Sequence, residues 1–169
     1  MSKLAVISDI HDNAPNLEKT IGVINKEQVD YVICTGDVQS MECWQMLNKL
    51  SMPIYAVLGN VDHDILGYEQ LSSVLKNINL SPDLGEVELG NQKIIFSHYP
   101  DIVKRAIINN LGKYSLALHG HTHKPWEENF NNTKLLNSGN VGNFRFSPTF
   151  AIINLETLKA KLILLDEIQ

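Results

Sequence analysis

Three short apolar runs open the chain at regular intervals, Leu4 to Ser8, Tyr31 to Thr35 and Ile54 to Leu58, and none alternates with polar residues. Unbroken apolarity over so few residues marks parallel strands covered on both faces. Between them apolar residues return at spacings of three and four, which predicts helices. Leu17, Ile21 and Ile24 form the stripe of the first; Met46, Leu47 and Leu50 form that of the second, which ends before Pro53. A third helix is predicted from near Asp64 to Leu75. After Pro82 the texture changes. Glu86 to Leu89 and Lys93 to Ser97 flank Gly90-Asn91, a pair suited to a two-residue hairpin turn. A helix from about Asp101 to Asn110 and a strand from Ser115 to His119 follow. The chain closes as a strand meander, with Phe150 to Leu155 and Lys159 to Leu165 as its last hairpin. The pattern predicts an α/β fold whose second half is mostly antiparallel: two mixed β-sheets packed as a sandwich, flanked by helices.

Composition narrows this further. With 169 residues, 44% of them hydrophobic, the chain is expected to form one domain, residues 1–169, around a core large enough to need no staple. A net charge of −5 argues against polymeric nucleic acid as a partner, since that grip depends on clustered Lys and Arg. The opening MSKLAVISDIHDN lacks the features of a signal peptide, and no stretch approaches a membrane span. Cys34 and Cys43 have neither metal nor redox spacing. Both are expected to be reduced, in a cytoplasmic protein with no membrane partner.

The polar residues carry the chemistry, because many of them terminate predicted strands. Asp9 follows the first run, Asp37 the second and Asn60 the third; His98 follows Ser97, and His121 and His123 follow His119. Ligands bind at the carboxyl ends of parallel strands, where loops converge. On an extended segment residues two apart project to one side, so Asp9 and His11 can face one ion, and His121 and His123 share that spacing. Seven oxygen and nitrogen donors with no thiolate are too many for one tetrahedral zinc site, and they fit two neighbouring ions sharing a carboxylate. His119 lies within the strand period and reads as a core histidine or one that backs the donors from behind. Asp62 and Asp64 read as caps of the third helix.

In order along the chain, SDIHDN, CTGDV, LGNVD, FSHYP and HGHTH resemble the signature of the calcineurin-like metallophosphoesterase superfamily. NSGNVGNFR, Asn137 to Arg145, further resembles a segment of its small bacterial and archaeal phosphodiesterase branch. The resemblance implies a four-layer double-sheet fold and a dinuclear centre. Asp9, His11 and His123 would hold one ion and Asn60, His98 and His121 the other, with Asp37 bridging and a metal-bridging hydroxide as nucleophile. The donor set suits two divalent ions, manganese foremost, with iron, zinc or nickel as alternatives.

Many relatives carry a histidine after the Gly-Asn pair, thought to protonate the leaving group; here Val61 takes that place, as in the small branch. His63 is the candidate general acid in its stead, the alternative being a solvated residue at a helix start. Asn13 and Arg145 are candidate phosphate contacts, and Tyr99 and Pro100 candidate walls of the pocket. The expected activity is hydrolysis of phosphodiester bonds in a small molecule. A non-catalytic scaffold on the same fold, or a phosphomonoesterase or pyrophosphate-cleaving enzyme, stands as the alternative.

Overall fold

The computed structural model describes residues 2–65 and 67–168. Strands β1 (Lys3–Ile7), β2 (Tyr31–Cys34), β3 (Ile54–Val57) and β4 (Ile78–Ser81) run parallel, and β10 (Thr149–Asn154) and β11 (Ala160–Leu164) extend them antiparallel in the order β11-β10-β1-β2-β3-β4. A second sheet has the order β5-β6-β7-β9-β8, from β5 (Leu84–Leu89), β6 (Gln92–Ser97), β7 (Leu116–His119), β8 (Trp126–Phe130) and β9 (Thr133–Asn137).

Both faces of each sheet are apolar, and this stacks four layers. Leu4, Val6, Ile33 and Val57 point into the seam between the sheets, against Ile94, Phe96, Leu116 and Leu118. Their neighbours along the strands, Ala5, Ile7, Val32 and Cys34, face the helices α1 (Ala14–Lys26) and α2 (Met41–Asn48) through Leu17, Ile24, Trp44 and Leu47. On the far side of the second sheet, Ile95 and Ala117 pack on Val103 and Ile107 of α5 (Pro100–Asn109). Period-two pleating thus uses every apolar residue of a run, one for each face.

Local signals explain most boundaries. Asn13 caps α1 by accepting from the Asn16 N–H, and Ser40 caps α2 by accepting from the Cys43 N–H. The Gly90-Asn91 turn has φ of 55° and 65° and joins Leu89 to its partner Gln92, the two-residue hairpin that those residues predict.

Three expectations need correction, and one strand was not anticipated. The third helix is two, α3 (Asn60–Ile65) and α4 (Tyr68–Val74), separated at Gly67, whose φ of 72° is incompatible with helix; Leu66 lies outside the described residues. Helix α2 ends at Asn48 and buries Cys43, Trp44 and Leu47, so Leu50 lies beyond it. Strand β4 escapes the apolar pattern because Asn79 and Ser81 interrupt it. The second half is less antiparallel than expected: β6, β7 and β9 are mutually parallel, with antiparallel pairing in that sheet only at its edges.

Candidate metal centre

The loops after β1, β2, β3, β6 and β7 meet at one edge of the sandwich. Backbone bonds zip the first two together: Asp9 N–H donates to Gly36 O at 2.9 Å, Ile10 N–H to Asp37 O at 2.8 Å and His11 N–H to Asp37 O at 3.0 Å. Gly120 N–H donates to His98 O at 3.0 Å, and His98 Nδ1 lies 2.8 Å from Thr35 O, which ties the two sheets.

Asp9 and His11 do share a side, for a different reason from the extended alternation expected. Asp9, His11, Asp12 and Asp37 have φ of 52°, 46°, 59° and 54°, and His121 and His123 have 66° and 61°. Left-handed backbone in non-glycine residues is strained and gathers at functional sites. In these turns the two histidines of the HTH segment part company. His123 Nε2 lies 3.2 Å from His11 Nε2 and 3.3 Å from Asp9 Oδ1, whereas His121 Nδ1 lies 3.2 Å from His98 Nε2. His98 Nε2 is also 3.2 Å from Asn60 Oδ1 and 3.4 Å from Asp37 Oδ2. The seven candidate donors thus form two clusters, Asp9 with His11 and His123, and Asn60 with His98 and His121. Asp37 Oδ2 reaches both, at 3.8 Å from His11 Nε2. By separation Asp9 also belongs with Asp37 and His98.

These separations suit a metal. Around an ion with donors at about 2.1 Å, neighbouring donor atoms stand about 3.0–3.4 Å apart. Ring orientation suits it too. Carbonyl oxygens only accept, so His98 Nδ1 donates to Thr35 O and His123 Nδ1 donates to Phe144 O at 3.2 Å. With each Nδ1 so engaged, Nε2 is the ring nitrogen that faces the carboxylates and would face an ion.

The electrostatics reflect crowding. Burial pushes the Asp9 carboxyl up from 3.8 to about 7, against the pull of His98 and of the Ser8 hydroxyl, 2.5 Å from Oδ2. Burial also pulls on Asp37 and His98. Their mutual hydrogen bond and attraction outweigh it, holding the Asp37 carboxyl below and the His98 imidazole above its ordinary range. Burial lowers His121 and His123 and so favours neutral rings.

Two glycines are fixed by close approach. A Cβ on Gly59 would run into Asp37 Oδ1, and one on Gly120 into Ser8 Oγ and Asp9 Oδ2. Asp62 binds the next layer: its buried carboxylate accepts from Val38 N–H at 3.1 Å, Gln39 N–H at 2.8 Å, Gly59 N–H at 3.0 Å and Trp44 Nε1–H at 3.3 Å. Its reach back to Gly59 is the capping contact that was expected. Its hold on the Asp37 loop is not legible in the sequence, because Trp44 and Val38 are distant along the chain. Asp64 is exposed toward the end of α3 and caps nothing at its start.

A cleft of about 340 Å³ opens over the donors, lined by His11, Asp37, Asn60, His121 and His123 with Phe144 and Arg145. Arg145 therefore stands where a phosphate contact is expected. Asn13 does not: its amide is spent on the Asn16 N–H and on Gly142 O. His63 is absent from the lining and lies 3.3 Å from Asp83 on the surface, so the general-acid position expected of it is not met. Tyr99 flanks the site, its ring centroid 5.0 Å from those of His98 and His121. His119 is buried, with Nδ1 3.1 Å from Gly120 O, as a core histidine should be. Phe144 lies within the Asn137 to Arg145 segment but takes no role from sequence, because an aromatic ring offers neither a metal donor nor a charge for phosphate.

A model of the calcineurin-like phosphoesterase superfamily domain matches residues 2–158. Phosphodiesterase MJ0936 of Methanocaldococcus jannaschii is 29% identical over 167 residues, which cover 97% of this chain and 99% of that protein. A solved structure described as a novel archaeal phosphodiesterase superposes with a TM-score of 0.83 at 27% identity, covering 96% of this chain and 99% of its own. Vacuolar Protein Sorting 29 from Cryptosporidium parvum superposes at 0.70 with 20% identity over 96% of this chain and 95% of its own, a likeness of fold alone. A match running through nearly the whole length, over an edge where all of its motifs meet, means that the chain belongs to the calcineurin-like phosphoesterase superfamily.

Proposed function

We propose that the protein is a metal-dependent phosphodiesterase acting on a small molecule. The observation that carries this is the pair of donor clusters at the convergent ends of two sheets, with the buried Asp37 reaching both. Asp9, His11 and His123 would hold one divalent ion and Asn60, His98 and His121 the other. Manganese is the favoured occupant, and iron, zinc and nickel are compatible with the same oxygen and nitrogen donors. Such ions acidify a water for attack and neutralise charge growing on the phosphoryl oxygens.

The chain's own residues do the rest. Arg145, exposed at the cleft wall with no carboxylate partner among the described residues, is placed to take a non-reacting phosphoryl oxygen. Phe144 narrows the cleft beside His11 and His123, with ring centroids 5.8 and 5.6 Å away. Water adds across one P–O bond, giving a monoester and an alcohol. His63 does not replace the histidine absent at position 61, since it is turned to Asp83. Leaving groups of low pKa are therefore favoured.

The test strips the protein with chelator, restores single metals, and compares bis(4-nitrophenyl) phosphate with 4-nitrophenyl phosphate. The expected result is metal-dependent turnover faster on the diester, falling at least about 100-fold in Asp37→Asn. Metal-independent turnover, or full activity in Asp37→Asn, would overturn the mechanism. Silence with every metal would favour a scaffold.

A further inference from the structure

A second cavity adjoins the metal cleft. It has a volume of about 620 Å³, and Arg145 lines both it and the cleft. Its size is that of a site for one small ligand. Two aromatic side chains stand open to it, Trp126 with 51% of its surface exposed and Phe146 with 42%. An indole half open to water beside a cavity gains from any flat ring laid on it.

The charges around this cavity depart from those of the molecule as a whole. In a chain of net charge −5, Lys104, Lys124 and Arg145 converge here. The facing carboxylates are Asp101 and Glu128, and Glu128 is already engaged by Lys104 at 3.1 Å. Lys124 and Arg145 have no carboxylate partner among the described residues. Lys124 Nζ instead sits over the Trp126 ring, 5.5 Å from its centre, which sets a cation on the aromatic side chain. The combination suits a ligand that carries a flat ring and a negative charge together.

We propose that this cavity is a subsite for the nucleoside portion of the substrate, with the nucleobase on Trp126 and Phe146 and its phosphate end running past Arg145 to the donors. The proposal rests on the phosphodiesterase reading above and adds a substrate class to it: small nucleotide diesters. Lys124 supplies the charge for a second phosphate where the nucleotide carries one.

The test uses two substrates in the metal-loaded protein. Methyl 4-nitrophenyl phosphate reports on the metal cleft alone, and thymidine 5′-(4-nitrophenyl phosphate) engages the cavity as well. The nucleoside ester is expected to show a KM lower by about tenfold, the scale of one base–aromatic stack. Trp126→Ala should erase that advantage while leaving kcat/KM for the methyl ester within about twofold. Equal KM values for the two esters in the wild type, or an equal loss on both in the variant, would overturn the subsite.

A binding measurement separates the two readings. Trp44 is fully buried and Trp126 open, so titrating thymidine 5′-phosphate into the full-length protein in chelator should quench the exposed indole saturably, more weakly in Lys124→Gln. Quenching without turnover of either ester would defeat the phosphodiesterase reading and leave the subsite standing. Turnover of the methyl ester without quenching would do the reverse. Equal quenching by phenyl phosphate would overturn the assignment to a nucleobase.

Discussion

Asp9 has no room for its charge. In the absence of an ion its carboxyl is held up at about 7 by burial, so the folded chain keeps a proton that the unfolded chain loses near pH 4. Between those values the folded state binds more protons, and the Asp9 contribution to stability falls as pH rises. His98, raised in the fold, acts in the same direction, whereas His119, His121 and His123 are lowered and act against it. The clean readout is therefore a difference. In chelator, wild type should lose stability relative to Asp9→Asn on going from pH 4 to pH 7, by a few kcal/mol in order of magnitude, measured by denaturant unfolding. A divalent ion takes the place of that proton, so metal affinity should weaken as pH falls below about 7. Gly120→Ala tests the same carboxylate sterically: the added methyl displaces Ser8 and Asp9, and metal affinity by calorimetry should drop more than about tenfold with the fold retained. His63→Ala should leave the pH–rate profile unchanged, because its ring faces Asp83 rather than the cleft.

Among the elements, α3 does more than link strands. Through Asp62 it holds the loop after β2 and the loop after β3, which carry Asp37 and Asn60. Asp62→Ala leaves four donors, three of them buried, without this acceptor and should cost on the order of 3 kcal/mol, with metal affinity falling alongside in a melt followed with and without manganese. The elements that could be read from the chain are those whose signals are local. Unbroken apolar runs mark β1, β2 and β3, and Gly90-Asn91 marks its hairpin. The split between α3 and α4 was not, since one glycine in a helical pattern is tolerated as often as it breaks the helix. The seven candidate donors were legible as residues because they sit at strand ends. Their grouping was not legible from spacing. The left-handed turns at Asp9 and His11 are held by backbone bonds to the distant loop at Gly36 and Asp37, and the His121 N–H donates to the Asp9 carboxylate; in turns of this kind the HTH pair parts into separate clusters.

The whole molecule joins its halves at the candidate metal centre. His123, from beyond β7 in the second sheet, stands against Asp9 and His11 from beyond β1 in the first; His98 and His121 stand against Asn60 from beyond β3. Each cluster straddles the seam packed by Val6, Val57, Phe96 and Leu118. Any occupant would be a rivet through both layers, and mechanical slack in that distant apolar seam becomes slack in the grip. Phe96→Ala, which touches no donor, should thus weaken manganese binding and shrink the rise in melting temperature that manganese gives, so the hydrocarbon between the sheets tunes an inorganic affinity at their rim.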